Sequence, residues 1–312
     1  MIVTVTPNTA IDHTLFVPAL PMNRTTRATL SVKSMAGKAT DASCILSILG
    51  LTSRVLGFAA GATGRTAAEM LEARGCSVDF TWVNGETRTN TVIICADGSG
   101  QTTITTATLE VDAQQIDSLR SQFEKALESA TCAVIGGTLP RDVPLSLHAD
   151  LVRMARQRKV PVIFDADEPY LRAGLEAGPT YIKPNQHELE ALVGHPVSGV
   201  EAAYRVGSEV AARYGTSPII TLGKDGALAL LPHATYFIPP LDVKVASSAG
   251  AGDAVLAGLA ASIHRGQPIE EGLRLGIASA AAVCLQIGTA DCRLEDVERF
   301  LPQVQLVKYP GN

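Results

Sequence analysis

The sequence predicts an α/β fold, a three-layer α/β/α domain with a mostly parallel central sheet and a small β-sheet lid. Three observations carry this expectation. Short β-branched runs alternate with longer helical stretches, two Thr/Val-rich excursions interrupt the alternation early, and the end of the chain is helical.

A buried strand is expected at 3–6, followed by an excursion at 12–34 whose turn signals read as an antiparallel hairpin. A helix at 40–49, a strand at 54–57 and a helix at 63–74 follow. The second excursion, 82–106, carries the turn signals Asn84-Gly85 and Asp97-Gly98 and reads as another hairpin. Strands are then expected at 132–135, 161–164, 180–182 and 218–221, between helices at 112–129, 144–158, 185–192 and 201–214. A third hairpin at 227–239 precedes helices at 250–265, 269–286 and 294–301. The two early excursions are expected to meet as one sheet over the carboxyl ends of the parallel strands, where open α/β sheets bind ligands. With no repeat, low-complexity tract or linker, residues 1–312 read as one domain with lid segments near 12–34 and 82–106.

The 312 residues are 46% hydrophobic and 18% charged, with a net charge of −5, which suits a large core and excludes a disordered chain. No apolar run approaches the roughly 20 residues that span a bilayer, so no membrane partner is expected. The absence of basic runs argues against a nucleic-acid partner. The start, Met1-Ile2-Val3-Thr4-Val5, shows no basic region or cleavage site, and the six cysteines are scattered without a CxxC pair. Reduced thiols and a cytoplasmic location are the expectation.

The segment Ser247-Ser248-Ala249-Gly250-Ala251-Gly252-Asp253 runs straight into an apolar helix. Glycines at a helix start let backbone N–H groups approach an anion, and the helix terminus adds partial positive charge. An aspartate would repel that anion unless it has another task. Accepting the proton of an attacking hydroxyl while the amides hold a transferring phosphoryl group is such a task. The alternative for Asp253 is a helix N-cap. In Lys183-Pro184-Asn185-Gln186-His187-Glu188, Asn185 and Glu188 have capping-box spacing; the functional alternative has them ordering water around a phosphate-bound Mg²⁺. Thr221-Leu222-Gly223-Lys224-Asp225-Gly226 reads as a hairpin turn, or as the wall of a nucleotide site beside the Gly250 loop. Ala36-Gly37-Lys38-Ala39 opens a helix and is a further anion-site candidate, with Lys38 a point charge and Arg88 a bidentate partner for a phosphate. Asp12 and Asp253 are candidates to face a polyol between them. No Walker A, GxSxG or HExxH motif is present, and Gly250–Gly252 lies too late in the chain for a Rossmann fingerprint.

Ser248-Ala249-Gly250-Ala251-Gly252-Asp253 resembles the GAGD signature of ribokinase-like (PfkB-type) carbohydrate kinases, and Lys183–Glu188 resembles that family's KPNxxE segment. The resemblance covers nearly the whole chain. Within the family it is nearest to the sugar-phosphate branch of 1-phosphofructokinases, 6-phosphofructokinases and tagatose-6-phosphate kinases. Thr6-Pro7-Asn8-Thr9-Ala10-Ile11-Asp12, Gly61-Ala62-Thr63-Gly64, Gly85–Asn90, Gly136–Pro140 and Gln286-Ile287-Gly288-Thr289 support that placement.

The resemblance implies a ribokinase-like fold and ATP- and Mg²⁺-dependent phosphorylation of a ketohexose phosphate. A kinase of an unphosphorylated sugar, sugar alcohol or nucleoside is the alternative, and a non-catalytic sugar or nucleotide sensor a more distant one. It implies Asp253 as the base, with Gly250, Ala251 and Gly252 as the anion hole. Lys183, Asn185, Glu188, Thr221, Gly223, Lys224, Gly226 and Ser248 would hold the nucleotide, with the helix around 278–282 near adenine. Asn185 and Glu188 would hold Mg²⁺ through water. Asp12, Gly37, Lys38 and Asp41 would bind the sugar, Arg88 and Thr138 its phosphate, and Arg24 would reach it from a partner's lid in a homodimer. Monovalent-cation use occurs in the family, with no ligand set readable here. The chain departs from the family's GGKGxN at Ala36-Gly37-Lys38-Ala39-Thr40-Asp41, where a carboxyl replaces an amide at Asp41.

Overall fold

The structure, a computed structural model, describes residues 1–310. The chain opens with β1 (Ile2–Asn8), wholly buried as an apolar strand between two helical layers is expected to be. Past Thr9 it continues into β2 (Ala10–Val17), then β3 (Leu30–Ala36), α1 (Lys38–Ile48), β4 (Ser53–Ala59), α2 (Gly61–Glu72) and β5 (Ser77–Trp82). Next come β6 (Asn84–Gly85), β7 (Arg88–Cys95), β8 (Gly100–Ile104), β9 (Leu109–Glu110), α3 (Ala113–Leu127), β10 (Cys132–Gly136) and α4 (Ser146–Gln157). The middle runs β11 (Val162–Asp165), α5 (Tyr170–Leu175), β12 (Tyr181–Ile182), α6 (Gln186–Val193), α7 (Gly199–Tyr214) and β13 (Ser217–Thr221). The chain ends with β14 (Ala227–Leu230), β15 (Thr235–Ile238), α8 (Ala251–His264), α9 (Ile269–Cys284), α10 (Leu294–Phe300) and β16 (Val307–Lys308).

The main sheet has ten strands in the order β16-β15-β14-β13-β12-β11-β10-β1-β4-β5. From β5 to β13 all pairings are parallel, and β14, β15 and β16 extend the sheet as an antiparallel edge. Alternate residues feed opposite layers, as the strand period requires. Val3, Val5, Ala133 and Ile135 join the core beneath α3 to α7, while Ile2, Cys132 and Val134 join the core beneath α1, α8, α9 and α10. A third cluster, with Ile11, Met35, Val55, Leu71 and Phe80, ties the lid root and α2 to the sheet edge.

The lid is a four-stranded sheet in the order β3-β2-β7-β8. Both expected hairpins form and meet, but the join is parallel: β2 lies beside β7 with Asp12 opposite Asn90. The Asn84-Gly85 turn expected from the sequence is not a hairpin turn. These residues pair antiparallel with Leu109–Glu110, and a Cβ on Gly85 (φ +91°) would stand 2.1 Å from the Thr108 carbonyl. Close backbone approach, rather than chain reversal, accounts for that glycine. The short helix α5 was absent from the expected elements; it sits over Phe164, whose ring a Cβ on Gly174 would strike at 2.2 Å. Among the described residues no helix is long and apolar enough to cross a membrane.

Candidate active site

The parallel strands end in an acidic cleft. Asp165 closes β11 and is 1% exposed; its Oδ1 accepts Lys38 Nζ at 3.0 Å and its Oδ2 faces Lys183 Nζ at 3.0 Å. Lys38, the first residue of α1, also pairs with Asp167 at 3.0 Å and with Glu188. Burial would lower its pKa, but Asp165, Glu188 and Asp167 outweigh that and hold it well above its ordinary value. The expectation that Lys38 offers a sugar phosphate a free cation is therefore corrected. The start of α1 lies against the end of β11, so the Lys38 charge is already balanced by three carboxylates.

Gly250 (φ +82°) is the N-cap of α8, and a Cβ there would stand 2.4 Å from the Ala290 backbone nitrogen. The capping alternative for Asp253 is thereby overturned: the cap is Gly250, and Asp253 is the third helical residue with no capping hydrogen bond. The Ala251 N–H bonds Ser248 O at 3.2 Å and the Asp253 N–H bonds Gly250 O at 3.1 Å. Gly252 lies in the first turn, where N–H groups have no intrahelical carbonyl to meet. Burial and then the neighbouring Asp165 push the Asp253 carboxyl up to about 7, against the opposing pull of Lys183 and Lys38. A carboxyl ionising near neutrality, one residue from the first-turn amide of Gly252, has the properties of a general base next to an anion cradle.

On one side of this loop opens a cavity of about 750 Å³. Lys183, Asn185, Thr221, Gly223, Lys224, Gly226, Ser248, Ala251 and Gly252 line it, with an apolar wall from Val255, Ile277, Ala280 and Ala281. Seven of the eight residues expected on the nucleotide side are thus together. The eighth, Glu188, is turned into a capping box on α6: its Oε2 accepts the Asn185 N–H at 2.8 Å, and Asn185 Oδ1 accepts the Glu188 N–H at 2.9 Å. A backbone bridge between Asn185 and Thr221 joins the two motifs across the strand ends. Among the described residues no three His, Cys, Asp or Glu side chains are grouped to hold a metal ion.

The lid and the start of α1 meet where Asp12 and Asp41 come within electrostatic reach of one another. Asp12 accepts Asn90 Nδ2 at 2.8 Å and Thr289 Oγ1 at 3.0 Å; burial raises its pKa and those two bonds oppose the rise. Thr138 Oγ1 accepts Asn8 Nδ2 at 3.1 Å and Arg88 Nη2 at 3.5 Å. The buried Arg88 Nε has no partner, and burial lowers the guanidinium pKa against the attraction of Asp12. Asp41 is 3% exposed; one oxygen accepts the Gly37 N–H at 3.2 Å and the other is buried without a partner. Asp12, Gly37, Asp41, Arg88 and Thr138 are therefore brought together. Arg24 is not: it lies in the exposed connection between β2 and β3.

Asp165 and Asp167 escaped the sequence reading. Their signal is two carboxylates directly after a buried β run, where polar residues have no packing reason to be. Asn90 and Thr289 stand in readable motifs, but their bonds to Asp12 join segments 78 and 277 residues away.

A sequence profile described as pfkB family carbohydrate kinase matches residues 3–296. The 1-phosphofructokinase of Haloferax volcanii is 33% identical over 96% of this chain and 95% of its own, and that of Bacillus subtilis is 29% identical over 99% and 100%. The crystal structure of phosphofructokinase-2 from Escherichia coli in complex with potassium superposes with a TM-score of 0.89 at 24% identity, over 97% of this chain and 98% of that one. The order of the strand ends, the glycine loop before α8 and the match across nearly the full length agree, and the chain belongs to the pfkB family of carbohydrate kinases.

Proposed function

We propose that this chain transfers the γ-phosphoryl group of ATP to a hydroxyl of a ketohexose phosphate, with fructose 1-phosphate the first substrate to try. The observation that carries the reading is Asp253. It follows the Gly250–Gly252 loop directly in the first turn of α8, with the 750 Å³ cavity lined by Ala251 and Gly252 and with Asp41 within electrostatic reach.

The residues present fit a nucleotide phosphate. Gly252 leaves an opening 3.2 Å from Lys183 Nζ that a Cβ would fill, and the apolar wall of α9 suits a base. Mg²⁺, which takes one or two carboxylates plus phosphates and water, would be held through water by Asn185 and Glu188, whose own oxygens are bonded within the protein, and would neutralise charge on the phosphates. The chain's own work is then to position and to move one proton. Gly250, Ala251 and Gly252 aim backbone dipoles at the transferring group, and Lys183 adds a fixed charge beside them. Asp253 takes the proton of the attacking hydroxyl. The lid strands β2 and β7 bring Asp12, Arg88 and Asn90 over the acceptor, excluding water that would otherwise accept the phosphoryl group.

Arg88 supports a substrate that already carries a phosphate, since a guanidinium with an unpartnered buried Nε needs an anion. A kinase of unphosphorylated sugars is favoured by a different observation, the gathering of the three carboxyls Asp12, Asp41 and Asp253 within electrostatic reach. A homodimer through the lid belongs to the reading: Leu30 and Ile104 are exposed on lid strands, and Arg24 is exposed in the connection between β2 and β3. Light scattering on the purified protein tests the dimer.

The deciding experiment is ADP release with ATP and Mg²⁺ across fructose 1-phosphate, fructose 6-phosphate, the tagatose phosphates and the free ketohexoses. Turnover confined to a phosphorylated ketose is expected. Turnover with free sugars alone would overturn the substrate class and leave the kinase.

A further inference from the structure

The loop that carries Thr138 is held from three sides. The Gly137 N–H donates to Asp165 O at 2.9 Å, which ties the loop to the end of β11. Asn8, the last residue of β1, donates from Nδ2 to Thr138 Oγ1 at 3.1 Å and to Leu139 O at 3.4 Å. The third hold comes from the first turn of α4, where His148 Nε2 lies 3.0 Å from the Gly137 carbonyl oxygen. A carbonyl only accepts, so Nε2 carries the proton of that bond.

His148 is fully buried, its ring edge-on to Phe164 and Tyr170 at centroid distances of 5.3 and 6.1 Å. Burial pushes its pKa down to about 4, so the imidazole is neutral and Nδ1 is a bare acceptor. Nδ1 has no partner. A phenylalanine or a leucine would fill an aromatic niche without burying an orphaned nitrogen, so packing alone does not account for a histidine here. The bond to Gly137 does. Gly137 has φ +88°, and without that bond its carbonyl has the freedom of a glycine to turn. Such a turn would swing the next residue, Thr138, whose Oγ1 accepts from both Asn8 Nδ2 and Arg88 Nη2, the latter at 3.5 Å. With both lone pairs engaged, the Thr138 hydroxyl hydrogen is directed away from these two donors and is free to meet an anion.

We propose that His148 is a positioning residue for the sugar phosphate: by fixing the Gly137 carbonyl it sets the aim of the Thr138 hydroxyl and, through Thr138, the place of the Arg88 guanidinium. The assignment rests on the kinase reading above. His148 itself is sealed behind the loop and acts only through it.

The test compares wild type with His148→Phe, His148→Asn and His148→Gln, in KM and kcat for ATP and for the phosphorylated ketose that wild type turns over. Phe keeps the ring contacts but has no donor, and the Asn amide is too short to reach Gly137. Gln carries an N–H at the reach of Nε2. His148→Phe and His148→Asn are expected to raise KM for the sugar phosphate about three- to tenfold, the worth of one hydrogen bond, with KM for ATP unchanged. His148→Gln is expected to return KM to within about twofold of wild type. In a Thr138→Val background, His148→Phe is expected to change KM by less than about twofold, because the hydroxyl it positions is gone. A role in stability alone would lower the melting temperature and leave this pattern of KM values absent. Equal KM changes for both substrates, no rescue by Gln, or a full effect of His148→Phe on top of Thr138→Val would overturn the assignment and leave the kinase reading. A wild type that turns over no sugar phosphate would overturn both.

Discussion

Asp165 and Lys183 form an ion pair 3.0 Å long, with side chains only 1% and 4% exposed, at the adjoining ends of β11 and β12. Its influence extends to α8, because Asp165 is the strongest of the charges raising the Asp253 carboxyl. Asp165→Asn removes that charge and leaves Lys183 and Lys38 to act on Asp253 with less opposition. The acid limb of the pH–rate profile should therefore move to lower pH. Breaking a buried pair on one side also costs about 3 kcal/mol of stability, which a denaturation midpoint will report.

Asp253 itself should show opposite effects on activity and stability. Asp253→Asn is expected to lower kcat roughly a hundred- to ten-thousandfold while nucleotide binding, followed by titration, persists. In wild type, kcat/KM should decline below a pH of about 7 as this base becomes protonated. The folded state holds its proton more tightly than the unfolded one, so this group's contribution to stability falls as pH rises from its ordinary carboxylate range towards 7. At neutral pH the Asn variant should consequently be the more stable protein, by about 1–3 kcal/mol. A melting temperature at or below wild type would show that the ionised form is already compensated.

Arg88 distinguishes the two substrate classes. Its buried Nε is unpartnered and its Nη2 lies 3.5 Å from Thr138 Oγ1. Arg88→Ala should raise KM for a sugar phosphate about ten- to a hundredfold and leave KM for ATP nearly unchanged. Arg88→Lys should recover only part of the loss, since an ammonium cannot reproduce a planar fork. Equal changes for both substrates would place Arg88 in lid packing instead.

The strand ends and the glycine loop were legible because they obey local rules. Buried parallel strands read as apolar runs, and Gly250 answers a backbone approach that no side chain tolerates. The partners across the cleft were not legible. Lys38 reads as a free cation beside Gly37, and only the packing of α1 against β11 gives it to Asp165, Asp167 and Glu188. Asn84-Gly85 has the composition of a turn, yet its pairing with Leu109–Glu110 depends on a segment more than twenty residues on. Asp41 reads as an ordinary carboxylate by residue type; burial, and then Asp253 and Asp12 from distant elements, hold its carboxyl well above the usual range.

Gly258 links the packing of the domain to the nucleotide-side cavity. A Cβ on Gly258 in α8 would stand 2.2 Å from the Gly276 nitrogen and 2.4 Å from its Cα, both backbone atoms of α9. The two helices therefore touch through their backbones, and neither can yield by a side-chain rotation. α8 carries Asp253 at its start, while Ile277, Ala280 and Ala281 on α9 form the apolar wall of the cavity. Gly258→Ala must force the helices apart, which costs about 1–3 kcal/mol as overpacking of a filled core. The displacement should also move the cavity wall relative to the Gly250–Gly252 loop. KM for ATP is thus expected to rise in the folded variant more than KM for the sugar phosphate. Gly266→Ala, at a position with nothing within 4 Å of the added Cβ, provides the comparison: a backbone cost at φ +63° without a change in KM for ATP. Equal KM values for ATP in both variants would show that α9 accommodates the methyl group without disturbing the cavity.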